Sequence, residues 1–220
     1  MALADASTAP GQQWTVGTRT FNPQGTLIFH TSHATSTSSI AAQFTIPSSD
    51  YGFTDYLYTS PNSLPSLSTT ESITALITIT GSAFEAGPWG SQSASAPAVI
   101  YLFIQANTPT AEQYQTPPSC GLPPGYSMNN YWWAAATTIT DSAGTLLTGP
   151  FTLTASLSGT GWTGICGQSA PTDGSFATIL ASATDVGLAF GGGYPSQFGA
   201  NGIATTAGSA TFQLNSFTIS

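Results

Sequence analysis

The stretch ITALITITG, residues 73–81, alternates apolar and hydroxyl-bearing side chains almost without interruption. Successive side chains of a β-strand point to opposite faces, so one face of this segment is apolar and the other is polar. The apolar set is Ile73, Ala75, Ile77 and Ile79, the polar set is Thr74, Thr78 and Thr80, and Leu76 interrupts the polar side. This pattern predicts a strand with one face buried in a core.

Similar short runs rich in Val, Ile, Thr, Phe and Tyr recur along the chain, separated by clusters of Gly, Pro, Ser and Asn, which is typical of a β-sandwich or barrel. Ile100, Leu102 and Ile104 form another inward row, and the phase of the last run slips at Asn215 and Ser216, which predicts a β-bulge. The predicted strands are 13–21, 26–31, 39–46, 73–81, 97–105, 131–140, 150–157, 184–190 and 209–219.

One segment has helical spacing. In GSFATILAS, residues 174–182, Phe176, Ile179 and Leu180 lie on one helical face, and Asp173 stands at the N-cap position. We therefore expect an all-β fold, a single antiparallel jelly-roll-like β-sandwich with one short helix near 174–182. We expect one domain over 1–220, with 1–12 as an extended N-terminal segment and with 59–72 and 107–130 as insertions.

Charge is scarce in this chain. Charged residues make up 5% of it, Arg19 is the sole Lys or Arg, and the net charge is −8. Phosphate neutralisation needs several basic side chains, so the composition excludes nucleic-acid partners and anionic membrane surfaces. No apolar run reaches the length of a membrane span, so we expect no membrane insertion.

The first residues, MALADASTAPGQQW, lack the basic and apolar regions of a secretory signal. They could follow a cleavage site, with Met1 added, or Met1 could be native and the protein could leave the cell as part of a virus particle. A chain with one Lys or Arg offers trypsin-like proteases almost no cleavage site, which favours an extracellular location or a cell or virion surface.

The two cysteines, Cys120 and Cys166, lie in segments rich in Gly and Pro. An even number of cysteines in an exported protein favours a disulfide, so we predict that these two pair; two buried free thiols are the alternative.

The stretch GLAFGGGYPSQFG, residues 187–199, raises the question of a phosphate-binding loop. It carries no Lys and opens no long helix, both of which such a loop needs. Gly191, Gly192 and Gly193 are therefore interpreted as a strand end or bulge where the backbone makes a close approach.

Ionisable residues form no catalytic pattern, and no catalytic residue is predicted. The acids Glu71, Glu85, Glu112, Asp141 and Asp173 fall in predicted loops or strand ends, and Asp185 stands alone at a strand start. His30 and His33, three residues apart, point to opposite faces of a strand, which disfavours a shared metal. No cofactor is expected, but a structural Ca²⁺ is possible, with ligands drawn from Asp50, Asp55, Asp141 and Asp173.

Aromatic residues remain as candidates for ligand binding. Sugar rings stack on Trp and Tyr, and their hydroxyls bond to amides; YSMNNYWW, residues 126–133, has that composition. Trp132 and Trp133 point opposite ways, so we expect one in the core and the other exposed or covered by the 107–130 loop; Trp162 is assigned to the core. The same aromatics could instead pack under loops or form a subunit contact. The predicted ligand-binding residues are Tyr131, Trp132, Trp133, Asn129, Asn130, Trp89 and Tyr194, with Gln113 as a further hydrogen-bonding candidate.

A family resemblance covers roughly residues 40–220. The segments YWW, GPFTLTASLSGTGWTGICGQ, DVGLAFGGG and GSATFQLNSFTI, with TDYLYT earlier, resemble a group of uncharacterised exported bacterial proteins. The strand order is similar to jelly-roll carbohydrate-binding modules and laminin-IV-type domains, a likeness at fold level that does not determine function. The chain departs from the group at Cys166 and in its longer 107–130 loop.

Three functions fit these observations. The first is a noncatalytic extracellular recognition domain that binds a polysaccharide or other glycan. The second is an assembly subunit of a filament, coat or virion surface, whose partners are copies of itself. The third is an enzyme that acts on polysaccharide.

Overall fold

In the computed structural model, the described residues are 13–21, 27–59, 67–87, 97–106, 131–164, 170, 175–192 and 202–220. They form an all-β sandwich of two sheets with one short helix, as predicted. The strands are β1 (Thr15–Phe21), β2 (Leu27–His33), β3 (Ala42–Ile46), β4 (Phe53–Thr59), β5 (Ser72–Thr80), β6 (Ala83–Ala86), β7 (Val99–Gln105), β8 (Tyr131–Thr138), β9 (Phe151–Ser156), β10 (Thr163–Gly164), β11 (Asp185–Gly191), β12 (Ile203–Ala207) and β13 (Ala210–Ile219). The helix α1 spans Ser175–Ala181.

The larger sheet has nine strands. Its main path runs β10-β8-β7-β11-β4-β1-β2, and β12 joins it by pairing with β4 and β6. The smaller sheet has four strands in the order β3-β13-β5-β9. All of these strand pairs are antiparallel.

The core lies between the two sheets, where alternate side chains of both interdigitate. Phe190 of β11 meets Phe212 of β13 edge to face, with ring centroids 5.3 Å apart. Near α1, Phe176 packs between Trp132 and Trp162, at 5.1 and 5.6 Å. Trp162 is buried, as predicted, and its Nε1 donates a 2.8 Å hydrogen bond to the Ser156 carbonyl.

The alternation of the opening stretch is confirmed: Ile73, Ala75, Ile77 and Ile79 of β5 are all buried. The predicted bulge is also present, since the pairing of β13 with β5 shifts register between Leu214 and Ser216. Each predicted strand exists, with ends displaced by a few residues.

Four strands were not predicted: β4, β6, β10 and β12. β4 carries an acid at its centre and is buried on both faces, so its side chains do not alternate in polarity. β6 and β10 have only 4 and 2 residues, and β12 consists mostly of Ala and Thr. Glu85 accordingly lies in a strand rather than in a loop.

The glycines of GLAFGGG end a strand, as predicted. β11 ends at Gly191, and a Cβ on Gly192 would overlap the carbonyl oxygen of Pro97. Only glycine allows that backbone approach. Gly193 lies outside the described residues.

Candidate functional site

The nine-stranded sheet buries side chains on both of its faces. One face supplies Leu57, Leu102 and Leu188 to the core cluster between the sheets. Phe103, Trp133 and Ala189 are also buried, but they lie outside that cluster. Because side chains alternate along a strand, these residues belong to the opposite side of the sheet. We call this side the outer face; its aromatic and polar members are Tyr56, Tyr58, Tyr101, Phe103, Gln105, Trp133 and Asp185.

Register places the aromatic residues of the outer face in rows across the strands. Tyr58 of β4 lies opposite Gly187 of β11, Gly187 lies opposite Phe103 of β7, and Phe103 lies opposite Trp133 of β8. Directly opposite residues of an antiparallel pair share a face and touch or nearly touch. One row across four strands therefore brings together a tyrosine, a phenylalanine and a tryptophan.

A second row lies one step along the strands. Tyr56 of β4 is opposite Gly17 of β1 and Ala189 of β11, and Ala189 is opposite Tyr101 of β7. The ring centroids of Tyr56 and Phe103 are 5.2 Å apart and the ring planes are inclined at 42°, although β11 separates their strands. We call these two rows of aromatic residues, with the contact between Tyr56 and Phe103, the aromatic floor of the outer face.

Small residues on β11 make this contact possible. Gly187 and Ala189 are the β11 members of the two rows, and they leave the space above the strand to rings from both neighbours. A Cβ on Gly187 would overlap the carbonyl oxygen of Leu57, so β4 and β11 approach each other closely there. A larger residue at this position would push β4, which carries Tyr56 and Tyr58, away from β11.

A bulge lies beside Tyr101. The pairing of β7 with β8 shifts register between Ile100 and Leu102, and Ala135 of β8 has a φ of 53°. Bulges re-aim side chains and are frequent beside binding sites.

The aromatic floor has a polar end. Asp185 of β11 is opposite Gln105 of β7, which is opposite Tyr131 of β8. Thr184 donates a 3.0 Å hydrogen bond from Oγ1 to Asp185 Oδ2, and its backbone N–H donates to the Gln105 carbonyl. A carboxylate and an amide therefore border the rings.

The tyrosines differ from the other rings in accessibility. Phe103 and Trp133 are buried, whereas Tyr56, Tyr58 and Tyr101 are half-buried. Burial raises the pKa of Tyr58 above its usual value, and the negative charge of Asp185 raises it further. Burial likewise raises the pKa of Tyr101. Both hydroxyls stay protonated at neutral pH, so they can donate hydrogen bonds.

Trp132 and Trp133 do point to opposite faces, as predicted, but neither is at the surface. Trp132 is 0% exposed and lies in the core cluster, and Trp133 is 5% exposed on the outer face. Neither indole offers an open ring for stacking, and Trp132 is the member of the pair that lies in the core. The half-buried tyrosines on β4 and β7 take their place as the accessible rings.

Most of the other predicted ligand-binding residues are not described by the structure. Asn129, Asn130, Trp89, Tyr194 and Gln113 all lie outside the described residues, as do Cys120 and Cys166 of the predicted disulfide. Tyr131 is in β8, opposite Gln105.

Two of the four predicted calcium ligands, Asp55 and Asp141, have other contacts. Asp141 Oδ1 accepts hydrogen bonds from the backbone N–H groups of Ala143 and Thr145, at 2.8 and 2.9 Å, and so closes a turn. Asp55 forms a buried ion pair with Arg19, in which Nε and Oδ1 are 3.2 Å apart. Asp173 lies outside the described residues. Over the part of the chain that is described, no three His, Cys, Asp or Glu side chains cluster in a way that could hold a metal ion.

His30 and His33 lie on opposite faces of β2, as their spacing predicted. His30 is opposite Thr18 of β1 and His33 is opposite Thr15. His30 Nε2 is 3.1 Å from the hydroxyl of Thr20. The two imidazoles cannot share a ligand from these positions.

The sequence did not reveal the Arg19–Asp55 pair or the role of β4. Asp55 is skipped in the register between β1 and β4, where Gly17 pairs with Tyr56 and Thr18 with Thr54. It is therefore the extra residue of a bulge. The only available signal was the single Arg in a chain of nine acids, which requires a carboxylate partner once it is buried.

Among the described residues, no helix is both long and apolar enough to span a membrane. No protein-family model matches the chain, and no curated protein or solved structure matches it. A function can therefore be argued only from the chemistry of the chain's own residues.

Proposed function

We propose that this protein is a noncatalytic recognition protein that binds a neutral glycan on the outer face of its nine-stranded sheet. The observation that carries this proposal is the set of half-buried tyrosines, Tyr56, Tyr58 and Tyr101, arranged in register over small β11 residues. Tyrosine combines an apolar ring with a polar hydroxyl, so it suits a ligand that has both C–H faces and hydroxyl groups.

The polar groups beside the rings fit the same ligand. The half-buried amide of Gln105 can accept from and donate to sugar hydroxyls. Asp185, opposite Gln105 in β11, is 5% exposed and contributes a negative charge near the rings rather than a direct contact. A binding site built from aromatic walls with a few fixed polar groups is the usual composition of small-ligand sites.

The charge of the chain restricts the ligand to neutral glycans. The only Lys or Arg side chain, Arg19, is buried against Asp55, so it cannot pair with a uronate or a sulfate. The net charge of −8 repels acidic polysaccharides as well. We expect binding to glucans, xylans or mannans and not to pectins or sulfated glycans, and we place the protein outside the cell or on a cell or virion surface.

The test is affinity electrophoresis and calorimetry with a panel of neutral and acidic polysaccharides. Tyr101→Ala should weaken binding to the preferred neutral glycan about tenfold, which corresponds to about 1.4 kcal/mol. Tyr51→Ala is the matched control, because Tyr51 is 78% exposed in a turn and does not belong to the outer face. Circular dichroism of each variant establishes that it is folded.

Two results would contradict the proposal. The first is that no neutral glycan is retained by the unsubstituted protein. The second is that Tyr101→Ala and Tyr51→Ala bind equally well. Release of reducing sugar that is lost in Asp185→Asn would favour the polysaccharide-active enzyme instead.

A further inference from the structure

β2 is an edge strand with both faces open. Among the described residues it pairs with β1 alone, and it ends the path of the nine-stranded sheet. Every side chain from Ile28 to His33 is exposed, and the two large apolar ones, Ile28 and Phe29, are 40% and 55% exposed. A strand covered by the facing sheet would have alternated between buried and exposed side chains, as β9 does.

β2 also lacks the devices that usually protect an edge. Natural edge strands are kept from pairing by Lys or other charges, by Pro, by bulges or by short length. The sequence of β2, LIFHTSH, has no Lys, Arg, Asp, Glu or Pro, and its 7 residues pair with β1 without a register shift. Its outward backbone N–H and C=O groups therefore form a regular, uncharged template for another strand.

We propose that two copies of this protein associate through β2, the strands pairing antiparallel about a two-fold axis so that the two nine-stranded sheets become one. No like charges meet at the contact itself, because β2 is uncharged. The net charge of −8 on each copy repels the other copy at long range, and salt screens that repulsion. β2 suits its own copy as a partner, because pairing about a two-fold axis brings no like charges together along the strand. Two-fold dimers of one chain are also the commonest oligomers.

Symmetry determines which register the pair adopts. Residues directly opposite in an antiparallel pair share a face. The two-fold axis must therefore lie midway between one residue and its own copy, because the alternative would set each residue opposite one whose side chain points to the other face. When the axis lies between His30 and its copy, all 7 residues of β2 are paired. It places His30 opposite its own copy, Phe29 opposite Thr31, Ile28 opposite Ser32 and Leu27 opposite His33.

This arrangement covers the exposed apolar side chains with neighbours from the second copy. Phe29 lies on the face shared by Arg19 and Phe53, and Ile28 lies on the opposite face with Thr20. Phe29 opposite Thr31 is an aromatic–β-branched pair, which stabilises a cross-strand contact. The two-fold axis is perpendicular to the sheet, so the outer faces of both copies look in the same direction.

Sedimentation velocity over a concentration series tests the association. The unsubstituted chain should show a dimer whose fraction grows with concentration, and Phe29→Lys should weaken dimerisation at least tenfold. Tyr51→Lys is the matched control, since Tyr51 is also a large exposed aromatic side chain but lies in a turn and not in the edge strand β2, and it should dimerise like the unsubstituted chain. A monomer at every concentration, or equal effects of the two substitutions, would overturn the proposal.

Cross-linking tests the register. His30→Cys should give a disulfide-linked dimer under mild oxidation, because the axis brings the two substituted residues together. Ser32→Cys, whose side chain lies on the same face, should not, because it faces Ile28 of the other copy. The unsubstituted chain reports any background from Cys120 and Cys166. Equal cross-linking of the two variants, or none above background for His30→Cys, would refute this register, and both assays are run without any glycan.

Discussion

At the scale of single residues, the most consequential contact is that between Arg19 and Asp55. Arg19 is the sole Lys or Arg of the chain, yet it is buried, with its guanidinium 5.6 Å from the centroid of the Phe53 ring. The one basic side chain therefore stabilises the junction of β1 and β4 and is withdrawn from the surface.

Substitution of Arg19 and substitution of Asp55 should destabilise the protein by different amounts. Asp55→Leu leaves a buried guanidinium, which cannot lose its proton, and should destabilise the protein by about 3–5 kcal/mol. Arg19→Met should cost less, because the remaining carboxyl can take up a proton and become neutral. Urea unfolding at pH 8, where Asp55 is ionised, followed by fluorescence measures both, and the double variant should regain most of the loss. Equal destabilisation by the two single changes would show that the charges do not determine the cost.

The titration of Asp55 makes stability depend on pH. Burial raises the pKa of Asp55 from 3.8 to about 7, against the opposing effect of the Arg19 guanidinium. The folded protein therefore holds a proton that the unfolded chain releases between about pH 4 and 7. The contribution of Asp55 to the free energy of unfolding must fall as pH rises through that window, by at most about 1.4 kcal/mol per pH unit.

Urea unfolding midpoints at pH 5 and pH 8 test whether the contribution of Asp55 to the free energy of unfolding falls as pH rises. The unsubstituted protein should gain stability at pH 5 relative to Asp55→Asn, which has no proton to bind at that position. The prediction fails if the difference between the two proteins is the same at both pH values.

At the scale of elements, β11 is the strand on which the candidate site depends. It is buried along its whole length, and it separates the strands that carry Tyr56 and Phe103. Its small outer residues let rings from β4 and β7 meet above it. β4 contributes two of the three accessible tyrosines, although its mixed pattern hides it as a strand in the sequence.

Gly187→Ala should therefore disturb both the sheet and the site. The added Cβ would overlap the Leu57 carbonyl, so β4 and β11 must separate, at an expected cost of about 1–3 kcal/mol and with weaker glycan binding. Gly17→Ala is the matched control: its Cβ would meet Tyr56 at 3.6 Å, an ordinary contact. Thermal unfolding measures both, and equal midpoints would mean that β11 and β4 have room to adjust.

At the scale of the whole molecule, the sandwich combines an apolar interior with a surface of hydroxyls and amides. The smaller sheet shows this most clearly: β9 alternates buried Phe151, Leu153 and Ala155 with exposed Thr152, Thr154 and Ser156. Such a surface can form many hydrogen bonds with a glycan but attracts few ions.

Trypsin reports global unfolding of this protein directly. The only bond it can cleave follows Arg19, which is buried in β1 between β2 and β4. The folded protein should resist trypsin, and in moderate urea it should give one cleavage at a rate that follows the unfolded fraction. Mass spectrometry of the two fragments identifies the site, and rapid cleavage without denaturant would show that β1 opens locally.

The sequence by itself determined the fold class, the inward rows of β5 and β7, the bulge in β13, the short helix and the scarcity of charge. These are local properties, because a side-chain period of 2 or of 3.6 residues is visible in residues that are close together in the sequence. It did not determine which aromatics are accessible, since Trp133 and Tyr58 look equally exposed until their neighbours are known.

Only the tertiary structure decided the site. Tyr58, Gly187, Phe103 and Trp133 come from four separate strands, and Arg19 meets Asp55 across two of them. Alternation states which side chains share a face of one strand, but it carries no information about which strand lies beside it. That choice depends on contacts between residues distant in the chain, where packing of the whole core outweighs any local preference.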